Sequence, residues 1–402
     1  MIKVVFFFCF YFYYILSKVF IVFLRNRNKK KDSVLYLAAF FSENAGYHWR
    51  VHQWANILKK SGYHVSIKST LSQNEFYKDI NDNYYGFLLK QLHRRFWQVV
   101  NSRKYELVIV RRELLLFNDY GDLFLEKLLL KFHPNAILDF DDDISASKNQ
   151  PKIIENFYAK IMLEHGDKFN ESLRLYSYFI VPSNYLKSKI LKQNNLISEP
   201  NILIIPTCVD YNKYEPKQYE MSKEVISFGW IGSNGNYKLL DILLPIFERL
   251  AKKYKFKLIV IGGTHFKSNR SFELEFIKWS LSDEIENLNK IDIGLMPLLY
   301  DDESKGKAGF KLIQYMGLGI VSIASPITIN KEIVNHGVNS FLAKDEKEWE
   351  EIFIQILDRS IDIEKMSSSA RESVLNRYTF ISNSDKYLRF IDYVMKKSNL
   401  DL

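Results

Sequence analysis

A repeated alternation of short apolar runs with helical patterns constrains this chain more than any other feature. In residues 291–324 an apolar run is followed by a polar stretch, a helical pattern and a second apolar run. The helical pattern comes from Phe310, Ile313 and Met316, which have the spacing of one helix face. Strand, loop, helix and strand in this order are typical of a parallel sheet wound with helices.

The same alternation recurs on both sides of a polar, irregular stretch at residues 207–222, which we interpret as a linker. Strands are predicted at residues 33–41, 63–67, 107–110, 136–140, 178–181 and 202–205, and again at 225–231, 257–261, near Ile285, at 291–299 and at 320–324. A chain of 402 residues is long enough for two domains with separate cores. The pattern therefore predicts an α/β protein with two doubly wound, Rossmann-like domains, at residues 32–206 and 223–375. In such sheets ligands bind at the carboxyl ends of the strands.

The N-terminal segment is apolar and is followed by a cluster of positive charge. Residues 4–24 are almost wholly apolar or aromatic, and five basic residues lie in 25–31. About 20 apolar residues suffice to cross a bilayer as a helix, so residues 1–31 are predicted to be a membrane anchor with a basic flank. A helix lying in the membrane interface and a cleaved signal peptide are the alternatives. The positive-inside tendency would keep the basic flank and the body of the protein in the cytoplasm.

Composition excludes several other classes of protein. Aromatic residues make up 15% and charged residues 26% of the chain, as in a globular protein. The two cysteines, Cys9 and Cys208, do not indicate a disulfide framework or a metal site. Although the net charge is +9, its concentration beside an apolar segment argues against nucleic-acid binding.

The loop before the helix at Phe310 has the composition of a phosphate-binding site. Lys305, Lys307 and Gly309 precede the helix, and Lys311 lies in its first turn. A helix start presents backbone N–H groups and partial positive charge, which suit phosphate oxygens. Gln314, about one turn further along, is placed to reach a ribose hydroxyl.

This segment resembles the sugar-nucleotide site of the group 1 retaining glycosyltransferases of GT-B fold. The resemblance is carried by Phe310-Lys311, by Gln314-Tyr315-Met316 and by the run 321–325 after Gly319. It implies two Rossmann-like domains facing a crevice, with residues 376–402 forming a helix that crosses back to the N-terminal domain. It further implies transfer of a sugar, of hexosyl type, from a nucleoside diphosphate sugar to a polysaccharide or lipid-linked glycan acceptor, with retention and without a metal or other cofactor.

The resemblance extends to two glycine turns and shows two departures. Gly232 and Ser233, and Gly46 in the first domain, are predicted donor contacts, although each is also compatible with an ordinary turn. Many relatives have glutamates where this chain has Gln314 and Gly306. The departures motivate an alternative function, namely a catalytically silent subunit that binds a sugar nucleotide or a partner enzyme.

An acidic run at residues 139–143 follows a predicted strand end. Adjacent carboxylates repel, so one can retain its proton and bind an acceptor hydroxyl. Asp141 and Asp142 are the predicted catalytic residues, and capping of the next helix is the alternative. Asp139 with Asp141 could instead form a metal-diphosphate site.

Two basic segments of the first domain remain open to alternative interpretations. Residues 111–113, Arg-Arg-Glu, form either part of a site or a surface salt bridge. Residues 88–100 form either a membrane-facing basic helix or a helix that faces the core.

Overall fold

The computed structural model describes residues 2–24, 29–117, 122–146, 168–217, 224–263 and 270–400. The chain divides into two compact units: unit 1 comprises Met1–Pro206 with Ser384–Leu402, and unit 2 comprises Thr207–Asn383. Arg25 and Arg27 of the basic flank, and residues 218–222 of the predicted linker, lie outside the described residues.

Unit 1 contains a parallel sheet of six strands in the order β2-β1-β3-β4-β5-β6. The strands are β1 (Lys30–Ala38), β2 (His64–Lys68), β3 (Tyr105–Arg111), β4 (Ile137–Asp139), β5 (Tyr178–Val181) and β6 (Ile202–Ile204). The helices are α1 (Ile2–Phe23), α2 (Ala45–Tyr47), α3 (Gln53–Lys60), α4 (Gln73–Asp82), α5 (Tyr84–Asn101), α6 (Phe124–Phe132), α7 (Lys168–Leu175) and α8 (Asn184–Gln193), with a π-helical segment, His48–His52, joining α2 to α3. The strand order reverses between β1 and β3, which makes this the position where such sheets bind ligands.

Helix α5 settles the interpretation of residues 88–100 in favour of the core. Leu88, Leu92, Phe96 and Val99 are fully buried, and they belong to the apolar core of unit 1. Parallel strands are buried on both faces, so the helices that cover them need such an apolar stripe.

Unit 2 contains a second parallel sheet of six strands, in the order β12-β11-β10-β7-β8-β9. The strands are β7 (Ile226–Ile231), β8 (Phe256–Ile261), β9 (Glu273–Ile277), β10 (Ile293–Met296), β11 (Val321–Ala324) and β12 (Phe341–Leu342). The helices are α9 (Leu244–Leu250), α10 (Glu284–Leu288), α11 (Asp302–Lys305), α12 (Phe310–Gly317), α13 (Ile329–Ile333), α14 (Glu346–Leu357) and α15 (Ile363–Arg377). This is the strand order of a Rossmann domain, with its reversal between β7 and β10.

Two local predictions in unit 2 are wrong. Helix α10 occupies the position near Ile285 where a strand was expected. The strand that pairs with β8 is β9, in which Glu273 and Glu275 alternate with apolar residues. Part of the loop predicted before the helix at Phe310 is α11, whose first turn is capped by the Asp301 carboxylate, which accepts from Ser304 N at 2.8 Å. A cap of this kind stabilises a helical turn that has no hydrophobic periodicity.

The last helix, α16 (Phe380–Leu400), begins in unit 2 and continues in unit 1. Within unit 1 the ring of Tyr387 stacks on Trp54 with centroids 4.2 Å apart. Its hydroxyl shares a buried hydrogen bond of 2.6 Å with the hydroxyl of Tyr36 on β1. The C-terminal segment is therefore an integral part of the core of unit 1.

The Tyr36–Tyr387 hydrogen bond should behave as a coupled pair in a double-mutant cycle. Because both hydroxyls are buried, Tyr36→Phe or Tyr387→Phe leaves one unsatisfied polar group, at a cost of about 1–3 kcal/mol. The double variant leaves none, so it should lose less free energy of unfolding than the sum of the single losses. Urea unfolding of all four proteins measures this, and simple additivity would contradict the prediction.

Candidate functional site

The reversal of strand order in unit 2 brings together two segments that are distant in sequence. Gly232 and Ser233 follow β7, while residues 297–309 follow β10 and lead into α12. Lys311, in the first turn of α12, extends toward β7, and its ammonium lies 4.5 Å from the ring centroid of Trp230. A Cβ added at Gly232 would lie 3.1 Å from that ammonium and 2.4 Å from the Trp230 ring. The turn after β7 and the start of α12 therefore form one local site.

Gly309 allows α12 to begin at this position. It is the N-cap of the helix, with φ at +69° and no side-chain cap bond. A Cβ there would lie 2.6 Å from Ile333 Cδ1, so both the backbone conformation and the available space require glycine. Phe310 is the first residue of the helix that follows. The helix start thus presents backbone N–H groups next to Lys311.

Tyr315 holds α12 against the sheet. Its buried hydroxyl accepts a hydrogen bond from Ile231 N at 2.9 Å, and its ring fills the space that a side chain on Gly294 would take. Ile231 is the last residue of β7 and Gly294 lies in β10. One side chain therefore fixes the helix to both strands that flank the reversal of strand order.

Lys305 and Lys307 are placed differently from Lys311. The Lys305 ammonium lies 2.8 Å from Asp302 Oδ1, and that of Lys307 lies 3.3 Å from Glu303 Oε1. An exposed pair such as Lys305–Asp302 contributes only about 0–1 kcal/mol, so a bound anion could exchange with its carboxylate. The sequence predicted a single phosphate site from Lys305 and Lys307 before the helix and Lys311 in its first turn. In the structure Lys311 lies beside the Gly232 turn, and Lys305 and Lys307 pair with carboxylates of α11.

Gln314 lies in a buried cluster and not on an open surface. Its Nε2 donates to Glu284 Oε1 at 2.7 Å and to the Tyr214 hydroxyl at 3.2 Å. Glu284 also accepts a 2.7 Å hydrogen bond from Trp279 Nε1. Burial raises the pKa of Glu284 to about 7, although its two hydrogen bonds act to lower it.

In unit 1, the corresponding position holds a network of two arginines and two aspartates, which is buried except at Asp141, whose side chain is 22% exposed. Arg50 donates from Nε and Nη2 to Asp139 Oδ1, at 3.2 and 3.0 Å, and from Nη1 to Ile205 O at 2.8 Å. Arg111, at the end of β3, lies 2.6 Å from Asp141 Oδ2 and 3.5 Å from Asp139 Oδ1. Gly46 lies in α2 beside this network, where an added Cβ would be 3.5 Å from Arg111 Nη2.

The acidic run contains carboxyl groups in different electrostatic states. Burial raises the pKa of Asp139, and no described residue donates a hydrogen bond to its Oδ2. Burial acts to raise the pKa of Asp141 too, but the neighbouring Arg111 guanidinium lowers it to about 2. The carboxyl group that retains a proton more readily is therefore Asp139, whereas the sequence favoured Asp141 and Asp142. Asp142 is exposed.

The remaining residues of this region pair with neighbouring side chains. Asp143 binds Lys189 at 2.6 Å and accepts from Ser145 N, at the start of the 3₁₀ turn Ile144–Ala146, as the capping interpretation predicts for this residue. Arg112 pairs with Glu113 at 3.1 Å, and Glu113 is buried, so this is not a surface salt bridge. The described part of the chain contains no group of three potential metal ligands.

Sequence reasoning missed Glu284, Trp230 and the structural role of Tyr315. Glu284 was assigned to a strand, and its contact with Gln314 spans 30 residues. The sequence does contain a hint of the role of Trp230, since an aromatic ring shortly before a glycine turn can form a cation–π contact with a nearby lysine. Its contact with Lys311, however, depends on the pairing of β7 with β10.

The comparisons with known proteins agree with this fold. Residues 223–359 match the family model of glycosyl transferases group 1. The matched residues all lie in unit 2. No curated protein sequence matches the chain.

Solved structures of similar fold cover almost the whole chain. A glycosyltransferase from Rickettsia africae is 17% identical and has a TM-score of 0.61, over 92% of this chain and 100% of that one. Sucrose-phosphate synthase from Thermosynechococcus elongatus is 11% identical with a TM-score of 0.64, over 91% and 100%. HepE of Anabaena in complex with UDP-glucose is 14% identical with a TM-score of 0.60, over 90% and 99%. The two Rossmann-like sheets and these neighbours confirm the predicted GT-B fold.

The raised pKa of Glu284 predicts a specific pH dependence of stability. The folded protein binds this proton more tightly than the unfolded chain does, so the stabilisation is complete at low pH and is lost as pH rises through about 7. Relative to Glu284→Gln, the wild type should lose free energy of unfolding on the order of 2 kcal/mol between pH 5 and pH 8. Urea titrations of both proteins at each pH measure this difference. A constant difference would show that Glu284 does not change its ionisation in this range.

Proposed function

We propose that this protein is a glycosyltransferase that moves a sugar from a nucleoside diphosphate sugar to a polysaccharide or lipid-linked glycan acceptor. The observation that carries the proposal is the Lys311 ammonium beside the Gly232 turn, in the segment that matches the group 1 family. Departure of a nucleoside diphosphate develops negative charge on its phosphates, and a fixed cation beside a helix start stabilises that charge.

The site in unit 2 supports a donor with a diphosphate group. The start of α12 supplies backbone N–H groups, Lys311 supplies a full positive charge, and Gly232 leaves room for close approach. The Anabaena neighbour was solved with UDP-glucose, and a starch synthase of similar fold was solved with ADP and acarbose. We therefore assign Gly232, Ser233, Gly309, Phe310 and Lys311 to the donor site, with Lys305 and Lys307 as secondary contacts.

The network in unit 1 supports a role for Asp141 in binding the acceptor. With its pKa lowered to about 2 by Arg111, Asp141 is a carboxylate that accepts a hydrogen bond from a sugar hydroxyl. Arg50 and Arg111 neutralise the two aspartates that a metal would need, which supports transfer without a metal. We further propose retention of the anomeric configuration, a hexosyl donor and a membrane-associated enzyme whose catalytic body lies in the cytoplasm.

The second candidate function is a catalytically silent subunit that binds a sugar nucleotide. The burial of Gln314 favours it, because both Nε2 hydrogen bonds of this side chain are made to neighbours inside unit 2. In this case the protein binds a nucleoside diphosphate but does not turn over its sugar.

Replacing Lys311 tests the donor site. Lys311→Met keeps the length of the side chain but removes its charge, and should weaken binding of the preferred nucleoside diphosphate by about 10- to 100-fold, the usual effect of one lost charged hydrogen bond. Titration calorimetry of the full chain with UDP, GDP, ADP and CMP, with and without EDTA, measures the affinities. Lys347→Met is the matched control, since its side chain is 84% exposed on α14.

The outcomes of this titration separate the hypotheses. Equal affinities in the Lys311 and Lys347 variants would remove Lys311 from the donor site. Binding that disappears with EDTA would favour a metal-dependent site. Tight binding without release of nucleoside diphosphate from any sugar donor would favour the silent subunit.

Replacing Arg111 tests the ionisation of Asp141. Without the guanidinium, burial should raise the pKa of Asp141, so turnover by Arg111→Gln should fall at pH 5 relative to pH 7, severalfold more than in the wild type. Arg111→Lys keeps the charge and should restore most of the activity at pH 5. Arg174→Gln, which breaks an exposed pair with Glu171 in the same unit, is the control. Identical pH profiles for the wild type and Arg111→Gln would show that Asp141 is not the titrating group.

A further inference from the structure

Helix α1 is apolar on two opposite faces, and only one of them packs against the rest of unit 1. Val5–Phe23 has a mean hydropathy of 2.0, and it is the stretch in the described part of the chain that is long and apolar enough to cross a membrane. Eight of its side chains are large, apolar and between 42% and 76% exposed: Val5, Phe8, Tyr11, Phe12, Ile15, Val19, Val22 and Phe23. At 3.6 residues per turn they form one stripe about 120° wide along the whole helix. We call this set the exposed stripe.

The opposite face of α1 packs on unit 1 along most of its length. Phe6, Phe10, Tyr13 and Ser17 are buried, at positions opposite the exposed stripe. Ring centroids lie 5.8 Å apart for Phe6 and Tyr85, 5.5 Å for Phe10 and Phe124, 4.8 Å for Tyr13 and Phe96, and 5.7 Å for Phe20 and Phe96. The Tyr13 hydroxyl also forms a hydrogen bond with the His93 ring. Helix α1 is therefore part of the core of unit 1 and not a separate tether.

We propose that α1 lies parallel to the membrane surface, with the exposed stripe inserted among the lipids and the opposite face fixed to α5 and α6. A helix that spanned the bilayer in this packing would carry the charged residues of α5 into the hydrocarbon. Lys90 and Arg94 of α5 are each about 41% exposed, and burying such charges in a membrane is strongly unfavourable. A parallel orientation leaves them at the aqueous side and buries only apolar side chains.

Charge and aromatic content favour a lipid surface as the occupant of this stripe. Lys18 lies at the edge of the stripe, Lys30 and Lys31 are exposed shortly after the end of the helix, and the net charge is +9, which suits anionic headgroups. Tyr11 of the exposed stripe is 65% exposed, and tyrosine side chains are typical of the membrane interface. A continuous apolar stripe of this length on a soluble body indicates a binding surface. This inference does not depend on the proposed transfer reaction.

Vesicle flotation of the full chain tests whether the stripe binds lipid. Phe8→Asp combined with Ile15→Asp should lower the fraction bound to vesicles of phosphatidylcholine with phosphatidylglycerol by at least about tenfold, because two charges enter the apolar contact. Leu196→Asp combined with Val338→Asp adds the same charge at positions that are 89% and 50% exposed elsewhere on the chain, and should bind as the wild type does. Vesicles of phosphatidylcholine alone should bind less of every protein.

The depth of single labelled positions distinguishes a parallel helix from a spanning one. Phe8→Cys, Ile15→Cys and Val22→Cys lie on one line of the stripe and can be labelled in a Cys9→Ser background, because Cys208 is fully buried. Quenching by lipids brominated at different chain positions should place all three labels at one shallow depth, about 5–10 Å below the headgroups. A spanning helix would place Ile15 about 10 Å deeper than both other positions.

Three results would overturn the proposal. The first is a greater depth for Ile15 than for Phe8 and Val22. The second is flotation of the Phe8/Ile15 variant equal to that of the wild type. The third is a wild type that does not float and sediments as a dimer, which the Phe8/Ile15 variant converts to a monomer. That result would assign the stripe to a second copy of the chain.

Discussion

Parallel strand pairing is the constraint on which the rest of this structure depends. Strands of this type are buried on both faces, so each sheet needs helices that cover it completely. In unit 1 the covering helices α5 and α6 are themselves covered, because Phe96 and Phe124 contact rings of α1. This third layer ends in the exposed stripe. Helix α1 therefore covers apolar side chains of α5 and α6 with one face and exposes apolar side chains on the other.

The same topological rule produces both candidate sites, but the two sites differ in charge. In unit 2 the site residues follow β7 and β10, the strands that flank the reversal of order. In unit 1, Arg50 follows β1 and Arg111 ends β3, while Asp139 and Asp141 lie at and after the end of the neighbouring strand β4. In unit 1, Arg50 and Arg111 balance Asp139 and Asp141, so a buried network can remain charged. In unit 2, a lysine lies beside a glycine turn and a helix start, which suits an anion brought by the donor.

The sequence predicted the elements whose signal is local and missed those that depend on neighbours. Strands β5, β7 and β10 were predicted because each is a short apolar run bounded by glycine, proline or polar residues. Helix α10 is only five residues long, so its periodicity is too short to separate it from a strand. Helix α11 depends on the Asp301 cap, which acts without any apolar pattern. The fold class was predictable, and the assignment of site residues remains a prediction.

The cluster around Gln314 shows why residue identity alone did not define the site. The resemblance in the sequence implied that Gln314 replaces a glutamate of many relatives, yet Glu284 places a carboxylate 2.7 Å from the Gln314 amide. That carboxylate comes from another helix, so no motif within α12 could have revealed it. Its charge depends on burial, which raises its pKa to about 7, and burial is set by packing against Trp279 and Tyr214. Glu284 therefore supplies, from another helix, the carboxyl group that the motif lacks. With a pKa of about 7, this group ionises in a pH range where an ordinary glutamate does not titrate.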